Sequence, residues 1–193
     1  MKPRSLIYVV VLVGLFFPSL NLEVTAAQSE TEKTLFDQIE SRAERHLEFL
    51  QKLSRATQLG EEEVQKLVAE RFGELGCEVE TLRIRPAALE LKHEFAAQQE
   101  IPDEKRFSVV GKYRGAVSGR SLLFFAHPDN PPQVGLEAWN HDPFGAEIEG
   151  GRLYGWGIAD DLVGVALMAE ALAAIRSAGL APPGDVILCS TPA

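Results

Sequence analysis

Two groups of polar side chains between residues 121 and 170 have the types and spacing expected of a metal site. In the first group, His127 and Asp129 follow an apolar run and lie two residues apart, so an extended backbone would point both side chains the same way. Pro128 between them favours that extended conformation and cannot continue a sheet ladder. A neutral imidazole at this position can coordinate a metal, and the neighbouring carboxylate can hold the ring in place.

The second group is the carboxylate pair Asp160-Asp161, which follows the turn Gly155-Trp156-Gly157 and precedes an apolar helical segment. A carboxylate at such a turn could bridge two cations through its two oxygens. Because open α/β sheets bind ligands beyond the carboxyl ends of their strands, we expect His127 and Asp160 to meet there. The two groups together predict a metal site at the rim of a sheet.

Each group also has a simpler interpretation. The tripeptide His127-Pro128-Asp129 could form only a turn with a hydrogen-bonded histidine, and Asp160 or Asp161 could only cap the following helix. The same tripeptide is the signature of the J-domain co-chaperones, which are small, helical and mostly basic modules. Here it follows an apolar strand in an acidic chain, so a J-domain is disfavoured.

The elements that must position these groups are helices and strands in mixed order. Apolar residues recur with helical spacing in three segments, 35–53, 61–76 and 161–177. Four segments have the patterns of strands, namely 77–85, 107–115, 121–126 and 185–190, and Gly150-Gly151 marks a hairpin. The first strand alternates and is expected to be half-buried, whereas the run 121–126 is apolar throughout and is expected to be central. These elements predict an α/β fold, a mixed sheet with helices on both faces.

The first 27 residues have the layout of a secretory signal peptide. Two basic residues precede the apolar run Leu6–Phe17, and the small residues Ala26-Ala27 suit cleavage. The apolar run is shorter than the about 20 residues of a membrane span, which disfavours a retained anchor. Residues 28–193 are therefore expected to be exported, to the periplasm or outside the cell, with no membrane partner after cleavage.

Composition limits the partners and the state of the cysteines. The net charge of −9 disfavours nucleic acid and anionic membrane surfaces as binding partners. Cys77 and Cys189 make an even count in a chain expected to be exported, which leaves a disulfide open. Both lie in apolar, strand-like contexts, so two buried free thiols are favoured.

The order of the motifs resembles one known family. His127-Pro128-Asp129 after an apolar strand, then Trp139-Asn140-His141-Asp142-Pro143-Phe144, then Gly150–Asp160 and an alanine-rich helix are similar to the aminoacylase, carboxypeptidase and desuccinylase family of dinuclear zinc peptidases. The resemblance implies that His127 binds one of two zinc ions, that Asp129 is a catalytic-site residue whose carboxylate orients the metal-site groups, and that Asp160 bridges both ions. It also implies a cis peptide bond after Asp160.

The chain departs from the family pattern at two places near the site and at its end. Trp156 and Leu162 stand where family members often have arginine and lysine. By resemblance, a general-base glutamate and a zinc-binding glutamate would follow the strand 185–190, but none of residues 191–193 is a glutamate. By resemblance, residues 28–193 are the amino-terminal part of a zinc peptidase catalytic domain, incomplete at the C-terminus.

The expected function is therefore metal-dependent hydrolysis of peptide or N-acyl amide bonds, of carboxypeptidase, dipeptidase or deacylase type. The substrate would be a peptide or an N-acyl amino acid, and a homodimer is expected only in the complete enzyme. Without the general base, residues 1–193 alone are expected to be inactive. The alternatives are a non-catalytic extracytoplasmic relative that binds a peptide or partner protein, and a purely structural domain. The coding sequence downstream of Ala193 would distinguish these hypotheses, because a glutamate pair there supports an enzyme and its absence favours a non-catalytic relative.

Overall fold

The computed structural model describes residues 29–83, 106–130 and 133–192. The predicted signal peptide, residues 1–27, lies outside these residues, so the division into a leader and a mature domain stays a prediction. Among the described residues, no helix combines the length and the apolar character needed to cross a bilayer.

Three helices form the amino-terminal half of the described chain. Helix α1 (Glu30–Ser41) starts at a capping box in which Ser29 and Glu32 exchange hydrogen bonds between side chain and backbone. Helix α2 (Ala43–Ala56) follows at once, and helix α3 (Glu61–Glu74) comes after Gly60. The single helix predicted over 35–53 is thus wrong. The helix is interrupted at Arg42, whose backbone is not helical. The Arg42 side chain donates a hydrogen bond to Glu170 of the last helix.

A four-stranded mixed sheet forms the centre of the fold. Its strands are β1 (Glu78–Leu82), β2 (Ser108–Tyr113), β3 (Leu122–Ala126) and β6 (Val186–Ser190). Their order is β1-β2-β6-β3, in which β6 pairs antiparallel with β2 and parallel with β3. A separate hairpin of β4 (Glu147–Glu149) and β5 (Arg152–Tyr154) turns at the two predicted glycines, and helix α4 (Val163–Ser177) connects it to β6. The mixed α/β fold predicted from the sequence is confirmed.

The core lies between helices α2, α3 and α4 and one face of the sheet. Val109 and Leu188 on neighbouring strands are fully buried there, together with Leu53 of α2 and Phe72 of α3. Gly111 makes the close approach of α3 possible, because a Cβ atom at this position would lie 2.7 Å from the Phe72 ring. This packing holds the carboxyl end of β3 close to the start of α4.

Two predictions about strand burial are wrong. Strand β3, expected to be central, is at the edge of the described sheet, and its four residues from Leu122 to Phe125 are 41–75% exposed. An apolar run predicts a strand with two covered faces. Among the described residues, however, β3 pairs only with β6, and α4 packs on one of its faces. Strand β1, expected to be half-buried, is exposed along its whole length because it is the other edge.

The two cysteines are free thiols, as favoured by the sequence. Cys77 precedes β1 and Cys189 lies in β6, and both side chains are partly buried. Burial raises the pKa of both thiols, which lowers the thiolate fraction near neutral pH.

Candidate metal centre

The structure brings His127 and Asp160 together at the carboxyl end of β3. The Nε2 atom of His127 lies 3.1 Å from a carboxylate oxygen of Asp160. His127 follows Ala126, the last residue of the strand, whose carbonyl accepts a hydrogen bond from Thr191 at the end of β6. The Asp160 side chain is 81% exposed and that of His127 34% exposed, so both donors are open to solvent.

The separation of these two donors suits a shared cation. Two bonds of about 2.0–2.1 Å to one tetrahedral zinc place the donor atoms about 3.3 Å apart. The observed 3.1 Å is close to that value, and a nitrogen with a carboxylate oxygen is a donor pair that zinc accepts. Within the described residues, however, no group of three histidine, cysteine or carboxylate side chains gathers around one point. The residues present therefore fit part of a zinc site.

Asp129 lies on the other side of the His127 ring. Its carboxylate oxygen is 3.4 Å and its backbone carbonyl 3.3 Å from the Nδ1 atom of His127. The Asp160 carboxylate lies against Nε2, so each ring nitrogen faces an acceptor. With the proton on Nδ1, next to Asp129, the lone pair of Nε2 is available to a cation placed between the ring and Asp160.

The two adjacent aspartates have different roles in the structure. The carboxylate of Asp161 accepts a hydrogen bond from the backbone N–H of Gly164 at 3.2 Å, so it caps the first turn of α4. The simpler interpretation of this motif as a helix cap is therefore correct for Asp161. Asp160 instead faces His127, and the peptide bond between the two aspartates is cis.

Comparisons with known proteins find similarity in the segment that carries this candidate site. Residues 123–193 match the model of peptidase family M20/M25/M40. Residues 123–193 are similar to this family. The match begins within β3 and includes His127, Asp129 and Asp160, the three residues on which the metal-site prediction depends.

Individual curated proteins are similar to parts of the chain. A succinyl-diaminopimelate desuccinylase of Methylocella silvestris is 37% identical over 85 residues, which is 44% of this chain and 22% of that protein. An N-formyl-4-amino-5-aminomethyl-2-methylpyrimidine deformylase of Bacillus subtilis is 39% identical over 85 residues, 43% of this chain and 20% of that protein. The chain thus spans about a fifth of the length of these relatives.

The fold is also that of a solved dipeptidase structure. The di-peptidase Dug1p of Saccharomyces cerevisiae superposes with a TM-score of 0.67 at 16% identity. The superposition covers 83% of this chain and 34% of the dipeptidase. At this level of identity the likeness shows the shared fold.

Gly157 lies where the segment that carries Asp160 packs against the segment that carries His127. Its φ of +71° lies in the left-handed region, and a Cβ atom there would lie 1.4 Å from the side-chain oxygen of Asn130. Asn130 in turn donates a hydrogen bond to the carbonyl of Pro128, at 3.0 Å, in the segment that carries His127. The absence of a side chain at Gly157 therefore lets the loop of Asp160 approach the loop of His127.

Replacing Gly157 by alanine is expected to lower the free energy of unfolding by about 1–3 kcal/mol, because the new Cβ meets Asn130 and the backbone keeps a left-handed φ. Chemical denaturation measures the change. Gly73→Ala is the matched control, since nothing lies within 4 Å of a Cβ at that helical position, and it should be neutral or slightly stabilising. Equal effects of the two substitutions would contradict this role of Gly157.

The two departures from the family pattern are apolar anchors of the site. Trp156 is buried, its indole lies 5.6 Å from that of Trp139, and its backbone N–H donates to the carbonyl of Pro143. Leu162 is completely buried at the start of α4. At positions 156 and 162, where the resemblance suggests arginine and lysine, this chain therefore has buried apolar side chains that pack next to the site.

Sequence reasoning missed two charged residues close to Asp129. Glu61, in the first turn of α3, is nearly buried, and Arg106 lies 3.8 Å from its carboxylate. Burial raises the pKa of the Glu61 carboxyl; Arg106 opposes that shift and the charge of Asp129 adds to it. The run Glu61-Glu62-Glu63 predicted only a favourable interaction with the helix dipole, and no local pattern links it to a site 68 positions away.

The raised pKa of Glu61 predicts a pH dependence of stability. An acid whose pKa rises on folding stabilises the protein most below its ordinary pKa, and this contribution is lost as pH rises through the folded value. The unfolding free energy of Glu61→Gln relative to wild type should therefore increase between about pH 4 and pH 7. Urea titrations across this range test the trend, with Glu44→Gln, an exposed glutamate of α2, as the control. A flat or falling difference for Glu61→Gln would be evidence against it.

Proposed function

We propose that this chain is part of a metal-dependent hydrolase that cleaves amide bonds in peptides or N-acyl amino acids. The observation that carries the proposal is the 3.1 Å approach of His127 Nε2 to the Asp160 carboxylate, within the residues that match the M20/M25/M40 family. The relatives are named for removing succinyl or formyl groups or for cleaving dipeptides. These names support a deacylase or a peptidase, of dipeptidase or carboxypeptidase type.

The proposed cofactor is zinc, two ions in the complete enzyme. Zinc in such a site supplies Lewis-acid polarisation of the scissile carbonyl and activation of a water. His127 would hold one ion through Nε2, while Asp129 keeps the proton of the imidazole on Nδ1. Asp160, with its exposed carboxylate, would offer one oxygen to each ion.

The remaining parts of the active site are proposed to come from outside residues 1–193. A catalytic zinc takes about three protein ligands and a water, and His127 and Asp160 supply two donors. The general base that moves the proton from water to the leaving amine would be a glutamate outside this chain. We therefore expect residues 1–193 to bind metal weakly and to be inactive alone, and any homodimer to belong to the complete enzyme.

Zinc removal tests this proposal in the protein translated through its downstream coding sequence. The protein should hydrolyse N-succinyl or N-formyl amino acids, or dipeptides, lose the activity on chelation and regain it with zinc. Residues 1–193 assayed in parallel should show no turnover. Hydrolysis that is unaffected by chelation, or zinc-dependent turnover by residues 1–193, would overturn the proposal.

A second candidate is a non-catalytic relative that binds a peptide or a partner protein. The observation in its favour is that the described residues gather only two metal donors. The same assay separates the candidates, because this relative would bind a dipeptide by calorimetry in both the presence and absence of chelator without cleaving it.

We further propose that the protein is exported and that residues 1–27 are removed. The basic residues, the apolar run and the small residues at 26–27 support this. Amino-terminal sequencing of the protein recovered from its native cells should find Ala27 or Gln28 first. A mature chain that begins at Met1 would show that the segment is retained.

A further inference from the structure

A second cluster of charged residues lies at the opposite end of α4 from the metal centre. A cavity of about 340 Å³ opens where the carboxyl-terminal ends of α1, α3 and α4 meet, a volume typical of small-ligand sites. Four arginines line it: Arg42, Arg45, Arg71 and Arg176. With a rise of 1.5 Å per residue, the 15 residues of α4 separate this cavity from Asp160 by about 22 Å.

The carboxylates around the cavity neutralise two of the four guanidinium groups. The buried Glu170 accepts hydrogen bonds from both Arg42 and Arg71, and Arg71 also contacts Glu74 on the rim. Arg42 in addition donates to the Ser177 hydroxyl at 3.2 Å. Two carboxylates against four arginines leave a local surplus of two positive charges in a chain whose net charge is −9.

Arg45 and Arg176 remain without a carboxylate partner among the residues described above, and the position of Arg176 is explained by the ends of two helices. Cations are favoured at helix carboxyl termini, and Arg176 donates to the backbone carbonyl of Glu74 at 3.4 Å while it lies over the ring of Tyr113. Arg176 thus has a structural role, although it also lines the cavity and contributes its positive charge there.

Arg45 has no such explanation. It lies in the first turn of α2, where the helix dipole disfavours a cation, and α2 has no side-chain cap. Among the described residues, Arg45 makes no hydrogen bond or ion pair, and its side chain is exposed. An anion in the cavity would interact favourably with both the guanidinium of Arg45 and the amino-terminal end of α2.

We propose that this cavity binds a small oxyanion with two negative charges, either free phosphate or the phosphate group of a small phosphomonoester. The arginines match the ligand because a guanidinium donates two parallel hydrogen bonds to a phosphate. Two surplus positive charges balance two negative ones. The site is independent of the metal centre and does not rest on the proposed hydrolysis.

Isothermal titration calorimetry on the full chain at low ionic strength and pH 8 tests the site with inorganic phosphate and with O-phosphoserine. We expect one equivalent of at least one of them to bind. Tighter binding of O-phosphoserine would identify a phosphomonoester as the ligand, and tighter binding of phosphate the free ion. The absence of binding by both would overturn the proposal.

Matched variants distinguish binding of the anion in this cavity from general electrostatic attraction of anions to the protein surface. Arg45→Gln should weaken binding about tenfold or more, because it removes charged hydrogen bonds to the ligand but none within the described protein. Lys33→Gln, which removes the same charge from an exposed position of α1, should change the affinity less than twofold. His127→Ala should bind like wild type. Equal weakening by Arg45→Gln and Lys33→Gln would contradict a defined site.

Discussion

Replacing Asp160 by asparagine is expected to lower the zinc affinity of the protein by about a hundredfold or more. The carboxylate of Asp160 is the oxygen donor beside His127, and asparagine keeps its size but removes the charge. Zinc sites gain about 10–16 kcal/mol from about four ligands, so each ligand contributes roughly 3 kcal/mol, which corresponds to a factor of a hundred. Competition with a chromophoric chelator measures the affinity.

The neighbouring residue provides the control for this substitution. Asp161→Asn removes the same charge one position away, and its side-chain oxygen can still accept the hydrogen bond from Gly164. Its zinc affinity should stay within about fivefold of wild type, because a nearby, partly exposed charge that does not bind the metal directly contributes about 1 kcal/mol. If both variants lost zinc equally, charge near the site, and not direct ligation by Asp160, would explain the binding.

Replacing Glu170 by alanine is expected to lower the free energy of unfolding by about 3 kcal/mol. The carboxylate is 8% exposed and is the shared partner of Arg42 and Arg71, so its removal leaves two largely buried cations without their main counter-charge. Breaking a buried ion pair from one side costs about 3–5 kcal/mol, and the partial exposure of both arginines favours the lower end. In a domain of this size the melting temperature should fall by about 6–12 °C.

An exposed glutamate on the adjacent helix is the control for this measurement. Glu70 faces Lys52 at 3.9 Å with both side chains more than half exposed. Glu70→Ala should therefore change the unfolding free energy by less than about 1 kcal/mol. A loss below 1 kcal/mol for Glu170→Ala would mean that solvent replaces its role.

The meeting of His127 with Asp160 was predicted from the sequence, whereas the packing around these two residues was not. Alternation in an extended chain was enough to place His127 and Asp129 on one face, and a turn rich in glycine was enough to place Asp160 at the start of a helix. The structure brings these segments together. What the sequence could not provide is the contact between Gly157 and Asn130 that fixes their approach, because it joins residues 27 positions apart.

Pairing partners explain most of the errors in the fold. The apolar pattern of β3 showed that it prefers covered faces but not which strand would lie beside it, and β6 occupies only one of its edges. Helical spacing continued through Arg42, whereas its side chain bonds to Glu170, 128 positions later, and the helix breaks there. The role of Glu170 was not predicted either, because it is a single acidic residue in a helix that is otherwise almost entirely apolar. Each of these features depends on a partner distant in sequence, which periodicity does not reveal.

The location of bound zinc tests the central claim most directly. Crystals of the protein grown with zinc and measured at the zinc absorption edge should show an anomalous peak about 2.0–2.2 Å from both His127 Nε2 and a carboxylate oxygen of Asp160. A well-occupied zinc peak elsewhere, with these two side chains bonded only to each other, would contradict the account.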